Sequence, residues 1–383
     1  MTMNSVAYVG GPVFDGVHIL RDQAAVFDGG RFQGLMAEDT LNDMDEIVDL
    51  AGAILSPGYV DLQVNGGDGC MLNDDPRPAT LARIADAHRR LGAVRILPTL
   101  ITDTAETTSA VIRAATQAIA DGVPGIAGLH LEGPHLSVAR KGAHDATRIR
   151  PMETVDLDEL IAAKQSLPVL KVTIAPENVS LEQVARLSEA GIIVSLGHTD
   201  ADFDTCMAYA DAGARCVTHL FNAMSQLGSR QPGLVGAALA TGALSAGLIA
   251  DGIHVHPETM RAAWRAKEGP GRFYLVSDAM AVAGTDMHAF LLGGRRILRH
   301  DGRLTLEDGT LAGADLDLTR AIRILVTDVG LPLEHVLRAA TTTPAELIGM
   351  PAGLEPGRTL LQDLIRIAPD LSNAVPIADA TGR

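Results

Sequence analysis

The chain has 383 residues, and its 47 Asp and Glu against 31 Lys and Arg leave a formal net charge of −16. Such a surface repels phosphate backbones, so no nucleic-acid partner is expected, while a small anion needs only one local basic pocket. A hydrophobic content of 47% excludes a disordered chain, and Trp 1, Tyr 4 and Phe 7 are too few for a stacked aromatic carbohydrate platform.

The first fifty residues read as a small β unit. Short strands are expected at Val6–Val9, Val17–Leu20, Ala25–Phe27 and Ile47–Leu50, cut by Gly10-Gly11, Asp15-Gly16 and Asp28-Gly29-Gly30. Met1 to Gly11 lacks a basic start followed by a long apolar run, so no signal peptide is expected. From Ile54 apolar runs alternate with amphipathic segments. The runs are Gly58–Val64, Val94–Leu100, Ile126–Leu131, Val169–Ala175, Ile192–Leu196, Cys216–Leu220, Ala246–Ile249 and Phe273–Val276. Helical patterns such as Ala79–Leu91, Thr104–Ala120 and Leu181–Ala190 lie between them. Eight near-continuous apolar strands with helices between them predict a parallel sheet buried on both faces and closed into a (β/α)8 barrel.

The uncharged stretch Gln231–Ala250 carries Pro232 and several glycines. It predicts a short helix and then a buried strand rather than a membrane span, so no membrane partner is expected. Ala289–Leu311 reads as a hairpin region, Leu316–Val329 and Leu333–Thr341 as helices, and Leu361–Ala368 as a β stretch returning to the N-terminal unit. The resulting fold class is α/β: a barrel over residues 54–350, with a small discontinuous β-sandwich domain from residues 1–53 and 351–383. Three cysteines (Cys70, Cys206 and Cys216) without a CxxC pattern suit a reduced, cytoplasmic setting.

Polar residues end the predicted strands: Asp61, Gln63 and Asn65 the first, Glu132 the third, His198 the fifth, His219 the sixth, His254 the seventh and Asp278 the eighth. Barrel enzymes build their sites at those ends. One carboxylate and two imidazoles (Glu132, His198 and His219) can hold a divalent ion with a position left open. Asp278 is a carboxylate able to take a proton from water beside it. Taken singly, each residue could be structural; together on one rim they point to a metal site. Gln63 and Asn65 face the interior where many metal hydrolase barrels carry His-x-His. Neutral amides are poor ligands, so one metal is expected, with these two as candidate vestigial second-metal positions or as residues that hydrogen-bond loop backbones. Arg230 in a Gly/Pro-rich loop could clamp a phosphate or be merely solvated, and His144 lies in a loop after strand three. Met71, Met224 and Met280 are expected to fill the core.

The blocks Leu55-Ser56-Pro57-Gly58-Tyr59-Val60-Asp61, His130-Leu131-Glu132-Gly133-Pro134, Gly197-His198-Thr199, Thr218-His219-Leu220-Phe221-Asn222-Ala223-Met224, Asp251-Gly252-Ile253-His254-Val255 and Ser277-Asp278-Ala279 resemble the N-acetylglucosamine-6-phosphate deacetylases of the amidohydrolase superfamily. The resemblance runs from about residue 54 to 345. It implies a hydrolase that releases acetate from N-acetylglucosamine 6-phosphate, with an N-acetylgalactosamine 6-phosphate or another amide as the alternative substrate. Glu132, His198 and His219 would bind one divalent metal, Zn²⁺ first, with Fe²⁺, Co²⁺ or Mn²⁺ as alternatives. Asp278 would be the general base and then acid, and His144 would polarise the acetyl carbonyl. Asn222, Ala223, Arg230 and His254 would hold the sugar phosphate, Arg230 from a partner subunit of a homodimer. Gln63 and Asn65 match the one-metal branch. Two departures stand out. His135 replaces a common aromatic after Glu-Gly-Pro and is expected at the site mouth, and Gln362-Asp363-Leu364 replaces the family's Ala-Asp-Leu.

Overall fold

The computed structural model describes residues 5–41 and 44–377. Its centre is an eight-stranded parallel sheet ordered strictly along the chain: Tyr59–Val64, Ala93–Ile101, Leu129–Glu132, Leu170–Ile174, Ile193–Leu196, Cys216–Val217, Ser245–Leu248 and Phe273–Leu275. These are barrel strands one to eight. Strand one meets the end of strand eight through a parallel bridge between Val64 and Ala279, with Asn65 N–H donating to the Ala279 carbonyl at 2.9 Å. Helices follow the strands and cover the outer face, among them Pro78–Arg90, Ala105–Ala120, Leu181–Glu189 and Leu318–Thr327. Several are started by side chains. Thr104, Ser180, Asp202 and Asp317 each accept a backbone N–H three residues on, which satisfies a donor the helix itself cannot pair.

Close packing between barrel strands leaves no room at some positions. A Cβ added at Gly128 would stand 2.2 Å from the backbone oxygen of Val169, the same oxygen that accepts the Leu129 N–H at 3.0 Å. Backbone cannot swing aside as a side chain can, so Gly128→Ala should destabilise the protein by about 2 kcal/mol. Denaturant melts against the wild type test this; equal midpoints would show that strands three and four separate more easily than the geometry allows.

The small β unit consists of two sheets. One has four strands in the order Arg31–Ala37, Gln23–Asp28, Ser5–Val9 and Glu46–Asp49. The other has five, in the order Ala374–Pro376, Leu364–Ile367, Ile54–Pro57, Val13–Phe14 and Ile19–Leu20. Tyr8, Phe27, Phe32, Leu50, Leu55 and Leu364 form their shared core. The strand Ile54–Pro57, which the sequence assigns to the start of the barrel, pairs with Leu364–Ile367 in this unit. The strand Arg31–Ala37 escapes the sequence pattern because Gly34 interrupts its alternation, opposite an irregular register between Val26 and Phe27.

The predicted hairpin region is larger than expected. It forms a four-stranded antiparallel sheet of Ala289–Leu292, Arg295–His300, Arg303–Thr305 and Leu311–Ala314. Phe290, Leu292, Ile297 and Leu304 build a separate core with Met71, Ile101 and Met280 of the barrel rim. This sheet therefore stands on the C-terminal end of the barrel. The uncharged stretch behaves as read, with helix Gly233–Ala240 and then strand seven. Among the described residues no helix is long and apolar enough to cross a membrane.

Candidate active site

Glu132 is the last residue of strand three, and His198 and His219 each lie two residues beyond strands five and six. The barrel's convergence brings all three together, buried, over its axis. His219 Nε2 stands 3.0 Å from Glu132 Oε1, His198 Nε2 3.3 Å from the same oxygen, and the two Nε2 atoms 3.1 Å from each other. Donors set tetrahedrally about 2.0 Å from one ion stand about 3.3 Å apart, so this spacing is that of a ligand set. His198 Nδ1–H donates to the Arg140 carbonyl at 2.8 Å, which leaves its Nε2 lone pair for a cation. The charge state fits the same reading. The two imidazoles hold Glu132 well below the usual carboxylate range in spite of its burial, and Glu132 raises His219 although burial opposes it. Two nitrogens and one carboxylate oxygen suit a divalent ion of intermediate hardness, and these residues fit one.

Backbone strain is concentrated here. Of ten non-glycine residues with positive φ among those described, five belong to this rim: His198 at 49°, His219 at 31°, Phe221 at 77°, Ala223 at 50° and Asp278 at 50°. Each costs of order 1–3 kcal/mol and persists only where surrounding structure imposes it.

Asp278 follows strand eight across from Glu132. Its Oδ1 accepts Asn65 Nδ2 at 2.7 Å and Gln63 Nε2 at 3.2 Å, and Gln63 Nε2 also lies 3.1 Å from Glu132 Oε1. Gln63 and Asn65 thus donate to the site carboxylates, a use the sequence reading did not single out. Burial, and then the nearby Glu132 charge, raise the Asp278 pKa. A carboxylate so placed is a better base than one in water. Asp278 Oδ2 makes no hydrogen bond to the described residues.

His144 is buried, its ring edge-on to His198 at 4.4 Å between centroids. The Thr102 N–H points at His144 Nδ1 from 3.3 Å, with Thr102 Oγ1 at 2.8 Å. A backbone N–H can only donate, so Nδ1 is the acceptor and Nε2 carries the proton. Burial, and then His198, hold the His144 pKa down to about 3. The ring is therefore a neutral Nε2–H donor.

These groups face a cavity of about 250 Å³. Glu132, His144, His198, His219 and Asp278 share its walls with Asn222, Ala223 and His254. Asn222 Nδ2 donates to the carbonyls of His219 and Leu220, both at 3.2 Å. His254 Nδ1–H donates to Asp251 Oδ2 at 2.6 Å, while Asp251 Oδ1 accepts the N–H groups of Ile253 and His254, both at 2.8 Å.

Two expected residues lie elsewhere. Arg230 is exposed and lines no part of the cavity within this chain. Its loop closes on itself through Gly228 N–H and the Gln231 carbonyl at 3.0 Å, directing the tip outward. His135 does not reach the site mouth. Its carbonyl takes the Ala175 N–H at 2.9 Å, and its Nδ1 lies 3.1 Å from the Arg150 carbonyl. Its ring is thereby buried in a separate pocket with Arg150, Met152 and Asp156. Lys171 lies early in strand four, fully buried in the barrel interior, with Nζ 5.8 Å from the Tyr274 ring centroid and no hydrogen-bond acceptor among the described residues.

Sequence reasoning missed several residues. Thr102 sits just past strand two. Asp251 stands three residues before His254, the spacing at which a side chain accepts the following N–H groups. Asp61 was expected at the end of strand one, but its partner was not: it accepts the Ser277 N–H at 3.1 Å, and burial pushes its carboxyl up to about 7. Leu292, Thr310 and Leu311 of the appended sheet wall the cavity, and nothing in their local sequence marks them.

The amidohydrolase family pattern matches residues 54–360. The chain belongs to the amidohydrolase family. Its hydrolase relatives include an N-acetylgalactosamine-6-phosphate deacetylase of Shewanella sp. (strain ANA-3), 44% identical over 79% of this chain and 76% of that protein. An N-acetylglucosamine-6-phosphate deacetylase of Haemophilus influenzae is 32% identical over 87% of both chains. In structure, the chain superposes on the crystal structure of N-acetylglucosamine-6-phosphate deacetylase from Pasteurella multocida with a TM-score of 0.90, 31% identity and 97% of each chain covered. The corresponding Mycobacterium smegmatis deacetylase gives 0.88 at 29% identity, again over 97% of each chain. As in other amidohydrolases, a barrel with a smaller domain carries a metal-dependent site, and Glu132, His198 and His219 are the ligand set available for it here.

Proposed function

We propose that this amidohydrolase removes acetate from N-acetylglucosamine 6-phosphate, yielding glucosamine 6-phosphate. The observation that carries the reading is the facing pair of features in one cavity: the three converging donors Glu132, His198 and His219, and the unpaired Asp278 Oδ2 across from them. The deacetylase relatives covering most of the chain supply the substrate class. The galacto epimer is a second reading, favoured by the 44% identity to an N-acetylgalactosamine-6-phosphate deacetylase.

Glu132, His198 and His219 would hold one divalent ion, Zn²⁺ first, with Fe²⁺, Co²⁺ and Mn²⁺ fitting the same donors. Bound there, the ion supplies Lewis-acid polarisation of the acetyl carbonyl and acidifies water. Asp278 Oδ2 takes a proton from the attacking water as its oxygen bonds to the carbonyl carbon. His144 Nε2–H donates to the oxygen that gains charge. The proton on Asp278 then passes to the sugar nitrogen as the C–N bond breaks, leaving acetate and the free amine. Gln63 and Asn65 hold Asp278 Oδ1 throughout, so the other oxygen alone shuttles. Asn222, Ala223 and His254 orient the sugar, and Asp251 fixes the His254 ring.

Arg230 binds the phosphate across a homodimer, because its own chain leaves it outside the cavity. Arg230→Ala should then raise KM for the phosphorylated sugar at least tenfold with little change in kcat. An unchanged KM would remove Arg230 from the site. The unpaired cysteines accord with a reducing, cytoplasmic location. The reading as a whole is tested by acetate release from the metal-loaded protein. Both epimeric 6-phosphates and unphosphorylated N-acetylglucosamine should be compared. Release from a 6-phosphate at a far higher rate than from the free sugar is expected; equal rates would break the phosphate assignment.

A further inference from the structure

We propose that the N-terminal face of the barrel carries a second binding site, a pocket for a small phosphate-bearing anion bounded by Trp264, Lys267, Arg272, His335 and Arg338. The cavity there is about 260 Å³. It lies between the end of helix Pro257–Ala266, the start of strand eight at Phe273 and helix Leu333–Ala340. Strand eight runs from this face to the catalytic rim, where Asp278 follows it. The two cavities therefore open at opposite ends of the barrel.

Charge is what sets the pocket apart. The chain as a whole is strongly acidic, yet no Asp or Glu is among the described residues lining this cavity. His335 and Arg338 are three residues apart on one helix and share a face. Arg338 is half-buried, and its guanidinium makes no hydrogen bond or ion pair with the described residues. Arg272 has its nearest carboxylate, Glu346, at 4.0 Å, with the two side chains 50% and 58% exposed, a separation and exposure at which an ion pair holds little. Lys267 is anchored at the edge, its Nζ donating to the carbonyls of Thr241 at 3.0 Å and Glu268 at 2.6 Å. Burial lowers the Lys267 pKa to about 8, so an anion beside it would restore a charge that burial disfavours.

The walls set the ligand class. Guanidinium forks beside an imidazole and an ammonium match the oxygens of a phosphate group. Trp264 stacks on Phe273 at 5.1 Å and 24°, giving a flat apolar wall beside the cations. The volume is close to that of the catalytic cavity, which limits the occupant to a small body such as a sugar phosphate. None of these residues takes part in the proposed chemistry, and the inference stands whether or not the substrate assignment does.

Trp264 is the sole tryptophan of the chain, so its emission reports on this pocket and not on the catalytic cavity. The full-length protein is titrated with inorganic phosphate and with glucose 6-phosphate, sodium chloride holding ionic strength constant. A saturable change in emission is expected, half-complete at millimolar concentration or below. Arg338→Gln should raise the half-saturating concentration at least tenfold, and Arg272→Gln by less. Circular dichroism and the melting temperature establish that each variant is folded. A flat titration with both phosphates would overturn the proposal, as would a chloride response of the same size or a folded Arg338→Gln protein that responds like the wild type.

Discussion

Asp278→Asn is expected to lower acetate release by about a thousandfold while metal content and substrate binding stay near normal. The asparagine is nearly isosteric, and the surrounding donors dictate how it sits. Asn65 Nδ2 and Gln63 Nε2 both point at Oδ1, so the new side chain must turn its carbonyl oxygen toward them. Its NH₂ then occupies the place of Oδ2, where it can accept no proton. Both halves of the reaction lose their shuttle at once. Single-turnover acetate release with parallel metal analysis measures this, and a rate within tenfold of wild type would exclude Asp278 as the base. A fall in metal content together with rate would instead give Asp278 a share in holding the ion.

Chelation is expected to remove activity and lower the melting temperature by several degrees, and Glu132→Gln or His219→Asn should make the protein indifferent to chelator and added metal alike. The physical reason is the crowding of three donors within 3.0–3.3 Å. Without a cation between them, lone pairs face one another, and the Glu132 carboxylate instead favours a proton on the His219 ring, raising its pKa although burial opposes this. A cation that binds the folded protein alone stabilises it by about 4 kcal/mol at a free concentration a thousand times its Kd. Thermal melts across a Zn²⁺ titration, with one ion bound per chain at saturation, are the expected result. A melting temperature that ignores the metal in the wild type would sink the ligand assignment.

Most of the site was legible because barrel geometry is so regular. Once eight apolar runs are recognised, chain order alone places their C-terminal ends on one rim, and Glu132, His198, His219, His254 and Asp278 meet there as expected. Side-chain direction at turns was not legible. His135 follows the same strand as Glu132, but hydrogen bonds from Ala175 N–H and to the Arg150 carbonyl hold it in a separate buried pocket away from the catalytic cavity. Gln63 and Asn65 were placed on the right face, and only their partners revealed that they steer the carboxylates.

By itself the sequence determined the layout: a parallel barrel, the ends of its strands, and the metal-capable residue types at those ends. Periodicity and turn residues are local, so one chain suffices to read them. Tertiary structure decided what depends on contacts between distant segments. It raised the Ala289–Leu292 to Leu311–Ala314 sheet over the cavity, closed the small unit with Leu364–Ile367 against Ile54–Pro57, and set His144 against Thr102 in one tautomer. It also left Arg230 outside its own chain's cavity and gathered Trp264, Arg272 and Arg338 on the far face. Each of these is a pairing between residues far apart in the chain, chosen by packing and hydrogen bonding that no local pattern encodes.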